Sequence, residues 1–200
     1  MPHPVPFSLR DLSKRSLALA ALAFSAAAAC VGRAPADKFL ASLAAHCGKA
    51  YEGRIVNPQP ADTAFAKERL VMHVRGCDAD SLRIPFHVGD DRSRTWVLTR
   101  TAAGVRLKHD HRHEDGSEDR VTQYGGDSRE GGTTTLMDFP ADSFTADLLP
   151  TARTNIWTVE ITPTEFVYQL RREGSDRLFR VVFDLTQPVA QPAAPWGAED

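Results

Sequence analysis

Three segments, SLRIPFHV (Ser81–Val88), RTWVLTRT (Arg94–Thr101) and GVRLKHDHRH (Gly104–His113), follow one another with only short connections between them. In the first segment an apolar residue occupies every second position from Leu82 to Val88. Successive side chains of a β-strand point to opposite faces, so this period of two predicts strands with one buried face. The short connections predict antiparallel pairing between neighbours.

Segments of the same kind recur at short intervals on both sides of this group. They are YEGRIVN (51–57), ERLVMHVRG (68–76), DRVTQYGG (119–126), GTTTLMDF (132–139), RTNIWTVEI (153–161), TEFVYQLRR (164–172) and DRLFRVVFDL (176–185). Roughly ten strands joined by tight turns predict a mainly β protein built as an up-and-down antiparallel meander. Because an open sheet leaves unpaired edges, we expect the meander to close, or nearly close, into a barrel.

Two segments carry helix signals. ADKFLASLAAHCG (Ala36–Gly48) has apolar residues at helical spacing and a glycine after them, which predicts a short N-terminal helix. PADSFTADLLP (140–150) predicts a second short helix whose cap is Asp142 or Ser143.

Cys47 follows the first helix, and Cys77 follows the second strand. In an antiparallel pairing the start of the strand at 51–57 lies beside the end of the strand at 68–76, which brings the two cysteines together. We expect a disulfide between them, because such bonds persist in the oxidising compartments outside the cytosol. The alternative is a pair of buried thiols.

The chain divides into four parts. The sequence of residues 1–29 predicts a signal peptide, because a basic start precedes an apolar run, Ser16–Ala29. This run is shorter than the roughly 20 residues that a membrane-spanning helix needs. Residues 30–35 are a tether or linker, and residues 36–186 form one β-barrel domain. Residues 187–200 are rich in Pro and Ala, which indicates an extended strap or a disordered end.

The fate of Cys30 determines whether the mature protein is anchored to a membrane. The alanines at 28 and 29 resemble the small residues before the cysteine of a bacterial lipobox, although Ala27 stands where leucine is usual. Lipidation at Cys30 would anchor the protein to a membrane, and ordinary signal-peptidase cleavage would release it. In either case we expect export, to the periplasm, to the outer membrane as a lipoprotein, or as a secreted protein.

The charge balance excludes one class of partner. The full chain contains 24 Lys and Arg and 26 Asp and Glu. Removal of residues 1–29 takes away three positive residues and one negative residue, so the mature chain has a formal net charge of −4. Such an evenly mixed, mildly acidic chain lacks the basic footprint of a nucleic-acid-binding protein.

The layout resembles two groups of proteins. A short N-terminal helix, a YEG at the entry to the first strand (Tyr51–Gly53) and a long meander are similar to the calycin group of lipocalin-like and fatty-acid-binding-like barrels. The lipocalin Gly-x-Trp motif is absent: Gly48 and Tyr51 are spaced one residue too far apart, and the aromatic residue differs. LKHDHRHEDGSED, FVYQLRR and the PAAPWG tail also resemble an uncharacterised family of bacterial secreted proteins or lipoproteins, which implies export and no particular activity.

Three histidines, His109, His111 and His113, continue the face of Val105 and Leu107. Parity therefore predicts that they point into the barrel, while the intervening charged residues of the same strand face solvent. A polar ligand-contacting patch, a hydrogen-bonded structural row and a zinc or other transition-metal site are all compatible with this row. A linear row cannot surround a tetrahedral ion by itself, so a metal would need a further ligand from elsewhere.

The remaining candidates are aromatic. Trp96 and Tyr168 fall within strands and would line a ligand cavity if the barrel is open inside. The sequence contains no Gly-x-Ser-x-Gly elbow, phosphate loop, dinucleotide fingerprint or Cys-x-x-Cys pair, which leans against an enzyme. A barrel that binds a small apolar or mixed-polarity molecule is the first interpretation. A metal-dependent enzyme using the histidine row and a structural envelope lipoprotein are the alternatives.

Overall fold

The computed structural model describes residues 35–130 and 132–198. The predicted signal peptide, the lipidation site at Cys30 and most of the predicted tether lie outside the described residues. Within the described ranges, no helix has both the length and the apolar character required to cross a membrane.

The protein is mainly β, as predicted, with a helix, α1 (residues 35–44), before the strands. The strands are β1 (Ala50–Ile55), β2 (Leu70–His73), β3 (Gly76–Cys77), β4 (Ser81–Val88), β5 (Asp91–Arg100), β6 (Val105–His111), β7 (Tyr124–Asp127), β8 (Leu136–Pro140), β9 (Asn155–Ile161), β10 (Glu165–Arg172) and β11 (Leu178–Val189). A 3-10 turn (Pro60–Asp62) and α2 (Thr63–Ala66) lie between β1 and β2, and α3 (Ser143–Leu148) and a second 3-10 turn (Pro150–Ala152) lie between β8 and β9. Asp142 is the cap of α3, because its carboxylate accepts the backbone N–H of Thr145.

Ten strands pair in the order β7-β6-β5-β4-β2-β1-β11-β10-β9-β8, and the short β3 pairs separately with β4. The pairs are antiparallel, and β11 pairs with β1, so the first and last strands join the two halves of the meander. The two edges, β7 and β8, approach each other: Arg129 N–H donates to the Asp138 carbonyl at 3.0 Å, and Asp142 N–H donates to the Gly125 carbonyl at 2.9 Å. The result is a nearly closed barrel, compatible with the calycin layout.

Alternate residues of each strand fill the interior, as the period of two predicted. The buried core contains Leu82, Ile84 and Phe86 of β4, Trp96 and Leu98 of β5, Val105 and Leu107 of β6, Phe166 and Tyr168 of β10, and Val181 and Phe183 of β11. Inward-facing side chains from opposite walls of the barrel meet in one cluster, so burial of apolar surface holds the barrel together.

Helix α1 closes one end of the barrel. Phe39 and Leu43 are fully buried in the core cluster, and Asp37 is ion-paired with Arg100 at the end of β5. Just after the helix, His46 Nδ1 lies 2.7 Å from the hydroxyl of the buried Tyr51. The cavity described below therefore lies at the other end.

The C-terminal segment is more ordered than its composition suggests. Strand β11 continues to Val189, so β-structure extends beyond the predicted boundary at residue 186. After it, Gln191 donates to the Gly48 carbonyl, Arg92 donates to the Ala194 carbonyl at 3.0 Å, and Trp196 N–H donates to the Arg92 carbonyl at 3.1 Å. Of the two alternatives for residues 187–200, the described part is an extended strap.

Cys47 and Cys77 form the predicted disulfide, with their Cα atoms 6.3 Å apart. It ties the chain after α1 to β3 across 30 residues. For a loop of this length the chain-entropy model gives a contribution of about 3–4 kcal/mol.

We expect the Cys47→Ser, Cys77→Ser double variant to lose this much free energy of unfolding, measured by urea denaturation. Wild type with an added reductant is the control, and an unchanged midpoint in both would contradict the assignment.

Candidate ligand-binding site

A cavity of about 340 Å³ lies at the end of the barrel away from α1. Seven aromatic side chains form much of its wall: Phe65, Phe86, Trp96, Tyr124, Trp157, Tyr168 and Phe179. The other polar residues of the lining are two histidines, three arginines, a threonine and an asparagine: His109, His111, Arg94, Arg172, Arg177, Thr151 and Asn155. Aromatic walls with a few polar groups are the usual composition of a small-molecule pocket.

The structure brings four of the predicted site residues together. Trp96, Tyr168, His109 and His111 all line this cavity. Trp96 and Tyr168 stack with ring centroids 4.3 Å apart, although they belong to β5 and β10 on different parts of the sheet. The sequence indicated that both are strand aromatics, and only the closing of the barrel makes them neighbours.

His113 does not join this group. Strand β6 ends at His111, and His113 is exposed in the turn that follows. The parity prediction is therefore confirmed for His109 and His111 and wrong for His113, because alternation applies only while the chain remains extended. The prediction that the charged residues of β6 face solvent is also wrong at Asp110. Its side chain is buried beneath the C-terminal strap and is ion-paired with Arg83 and Arg112.

His109 sits in a fully hydrogen-bonded network. Its Nδ1 lies 3.0 Å from the backbone carbonyl of Tyr124, which can only accept, so Nδ1 carries the proton. Its Nε2 lies 2.7 Å from the Tyr168 hydroxyl and therefore accepts from it. The Trp96 ring stacks on Tyr168, and the Trp157 ring lies 5.1 Å from His109, measured between ring centroids. This arrangement locks His109 in one neutral tautomer.

His111 and Tyr124 form a second hydrogen-bonded pair, in which both residues are only partly buried. The Tyr124 hydroxyl lies 3.0 Å from His111 Nε2, and the Tyr124 ring stacks on His109 with centroids 4.4 Å apart. Thr122 accepts the backbone N–H of His111 and ties the pair to the approach to β7. Tyr124 contacts both histidines, since its backbone carbonyl accepts from His109 and its hydroxyl hydrogen-bonds to His111. Tyr168, His109, Tyr124 and His111 therefore form one continuous polar layer in the cavity.

Burial shifts the pKa values of this layer. It lowers the pKa of His109 to about 3, and burial together with the nearby Arg94 lowers the pKa of His111 to about 4. Burial raises the pKa of Tyr124 to about 12 and the pKa of Tyr168 well above its ordinary value. At neutral pH the layer is uncharged, and the positive charge of the cavity comes from its arginines.

The histidine row does not form a metal centre. Among the residues that the structure describes, no group of three or more His, Cys, Asp or Glu side chains could hold a metal ion. Both ring nitrogens of His109 are already used, and His113 points away. His73 and His87 are also buried, but neither lines the cavity. The zinc hypothesis therefore has no support in this geometry.

Sequence reasoning missed several polar residues of the site, among them Arg94, Arg172 and Tyr124. Arg94 is in phase with Trp96 on β5, and Arg172 is in phase with Tyr168 on β10, so strand parity could have indicated both. Tyr124 could not have been found in this way. It comes directly after Gln123, which has a positive φ of 59° and breaks the extended pattern before β7.

No family model, no curated protein and no solved structure matches this chain. The similarity to calycins is therefore one of architecture alone. No matching protein supports either the calycin resemblance or the resemblance to bacterial secreted proteins. The function proposed below is based on the chemistry of the cavity.

The buried histidines predict acid sensitivity. Their pKa values are lowered in the folded protein, so the unfolded chain binds more protons once the pH falls below 6.5. Their contribution to stability is complete above that pH and is lost as the pH falls towards about 4. We expect His109→Gln to flatten the dependence of the free energy of unfolding on pH, measured by urea denaturation at several values between about pH 7.5 and about pH 4.5.

His113→Gln is the matched control, since it removes an exposed histidine from the same segment. An equal change of slope in both variants would show that burial of His109 is not the cause.

Proposed function

We propose that this is an exported binding protein that holds a small molecule in the cavity at the open end of its barrel. The observation that carries the proposal is the cavity itself: aromatic rings form much of its wall, a layer of neutral polar groups and three arginines share it, and α1 closes the opposite end of the barrel. Its volume lies at the lower end of the range of natural ligand pockets, about 300–1,000 Å³, which suits a small molecule of mixed polarity.

The hydrogen bonds of the polar layer favour binding over catalysis. His109 has no free ring nitrogen, and the low pKa of His111 makes it a weak base at neutral pH. Rings held by stacking and by hydrogen bonds are pre-organised, which reduces the entropy lost when a ligand is bound. The layer is therefore suited to orienting a ligand.

Export is the second part of the proposal. It is supported by the basic and apolar N-terminal sequence before Cys30 and by the Cys47–Cys77 bridge, which suits an oxidising compartment. We place the mature protein in the periplasm or, through a lipid on Cys30, at the outer membrane, with secretion as the alternative.

Binding is tested with N-phenyl-1-naphthylamine, an uncharged fluorescent probe with an apolar ring system. We expect saturable binding, seen as a rise in probe fluorescence together with quenching of tryptophan emission. Ala152 is buried in the cavity wall, so Ala152→Leu fills part of the space and should weaken binding several-fold. Ala103→Leu, an exposed position in the β5–β6 turn away from the cavity, is the matched control.

If the wild-type protein binds no probe, or if both leucine variants bind like wild type, the cavity is not a binding site. A structural role at the envelope would then be favoured. Circular dichroism of each variant would show that the fold is retained.

Mass spectrometry of the protein from its natural envelope tests export. We expect a chain that lacks residues 1–29, with the added mass of a lipid if Cys30 is acylated. A mature N-terminus beyond Cys30 would remove only the lipoprotein part of the proposal. An intact Met1 in the envelope fraction would contradict export by signal-peptide cleavage.

A further inference from the structure

The charges around the cavity are unbalanced. Three arginines line it, and the lining includes no aspartate or glutamate. Two of these guanidinium groups have their own carboxylates just outside: Arg94 pairs with Asp91 at 2.5 Å, and Arg177 pairs with the buried Asp62 at 2.6 Å. These two arginines are neutralised by the protein, and the third is not.

Arg172, the third arginine, is the last residue of β10. Its Nε donates to the side-chain oxygen of Asn155 at 2.9 Å, an uncharged partner that fixes the direction of the guanidinium. Across the described parts of the chain, no carboxylate lies within ion-pairing distance of Arg172. Within this cavity it provides one oriented positive charge without a counterion.

The titratable groups that line the cavity together with Arg172 carry no negative charge. His111 and Tyr124 are both neutral at physiological pH, since burial lowers the pKa of the first and raises the pKa of the second. A half-buried guanidinium beside aromatic walls interacts strongly with an anion, because charge-assisted hydrogen bonds strengthen when water is excluded. The planar guanidinium is suited to a carboxylate, which it can bind through two parallel hydrogen bonds.

We propose that the ligand is a small molecule with an apolar ring body and one anionic group, a carboxylate, which Arg172 binds. The body lies against the aromatic wall formed by Trp96, Trp157 and Tyr124, and the carboxylate lies at the Arg172 end of the cavity. This inference rests on the proposed function, because it names the class of ligand for the same cavity.

Isothermal titration calorimetry with 2-naphthoate and 2-naphthamide tests the proposal, since these probes have nearly the same shape and differ in charge. We expect wild type to bind the acid about ten- to a hundred-fold more tightly than the amide, the range for a charged hydrogen bond. Arg172→Met should remove this preference, and Arg172→Lys should keep part of it. Arg106→Met, which removes an exposed arginine on the outer face of β6, should leave it unchanged.

The possible outcomes separate the two proposals. If acid and amide bind wild type equally, or if Arg172→Met keeps the preference, the anionic class or the role of Arg172 is overturned while the binding function stands. If neither naphthalene probe binds but N-phenyl-1-naphthylamine does, the carboxylate class is likewise overturned. If none of the three probes binds, the proposed function itself fails. Should Arg172→Met fail to fold, Arg172→Gln provides the same comparison with a polar side chain.

Discussion

The pairing of β1 with β11 is the interaction on which the rest of the structure depends. Each half of the meander would otherwise end in an unpaired edge at the centre of the sheet. The pairing is close because Gly53 lies opposite Phe183, and a Cβ at Gly53 would stand only 2.5 Å from the Phe183 ring. The ring therefore crosses over the glycine and reaches the core, where it meets Phe86, Trp96 and Phe166. The edges move from the centre of the sheet to β7 and β8, where backbone hydrogen bonds and α3 bridge them.

Closing the sheet makes the two ends of the barrel different. At one end α1 fills the interior with apolar side chains, so that end is a packed core. At the other end the inward positions are rings and polar groups, and the Tyr168 hydroxyl at the boundary donates to His109. A buried polar network of this kind is stable only when every member has a partner, and here the partners come from β6, β7 and β10. Beyond the network, rings that stack on one another form much of the cavity wall.

The errors of sequence reasoning have specific physical causes. His113 follows the parity of His109 and His111, but β6 has ended before it, and no local signal fixes the last residue of a strand. Asp110 has the parity of a solvent-facing residue and does face outward, yet the C-terminal strap covers that face and Arg83 and Arg112 neutralise the charge. The Pro- and Ala-rich composition of the tail gave no sign of hydrogen bonds to Arg92 and Gly48, since these bonds join residues about 100 or more positions apart.

The sequence by itself determined the strands, their antiparallel order, the N-terminal helix and the Cys47–Cys77 bridge. All of these follow from local periodicity and from pairing between neighbours, which a single chain displays in its residue pattern. It also indicated that His109 and His111 face inward and that Trp96 and Tyr168 lie within strands. Only the tertiary structure decided that these residues surround one cavity, that Tyr124 joins them, and that Arg172 lacks a counterion there while Arg94 and Arg177 have theirs. Those facts depend on which distant strands meet when the barrel closes, and the contacts made there have no counterpart in local sequence.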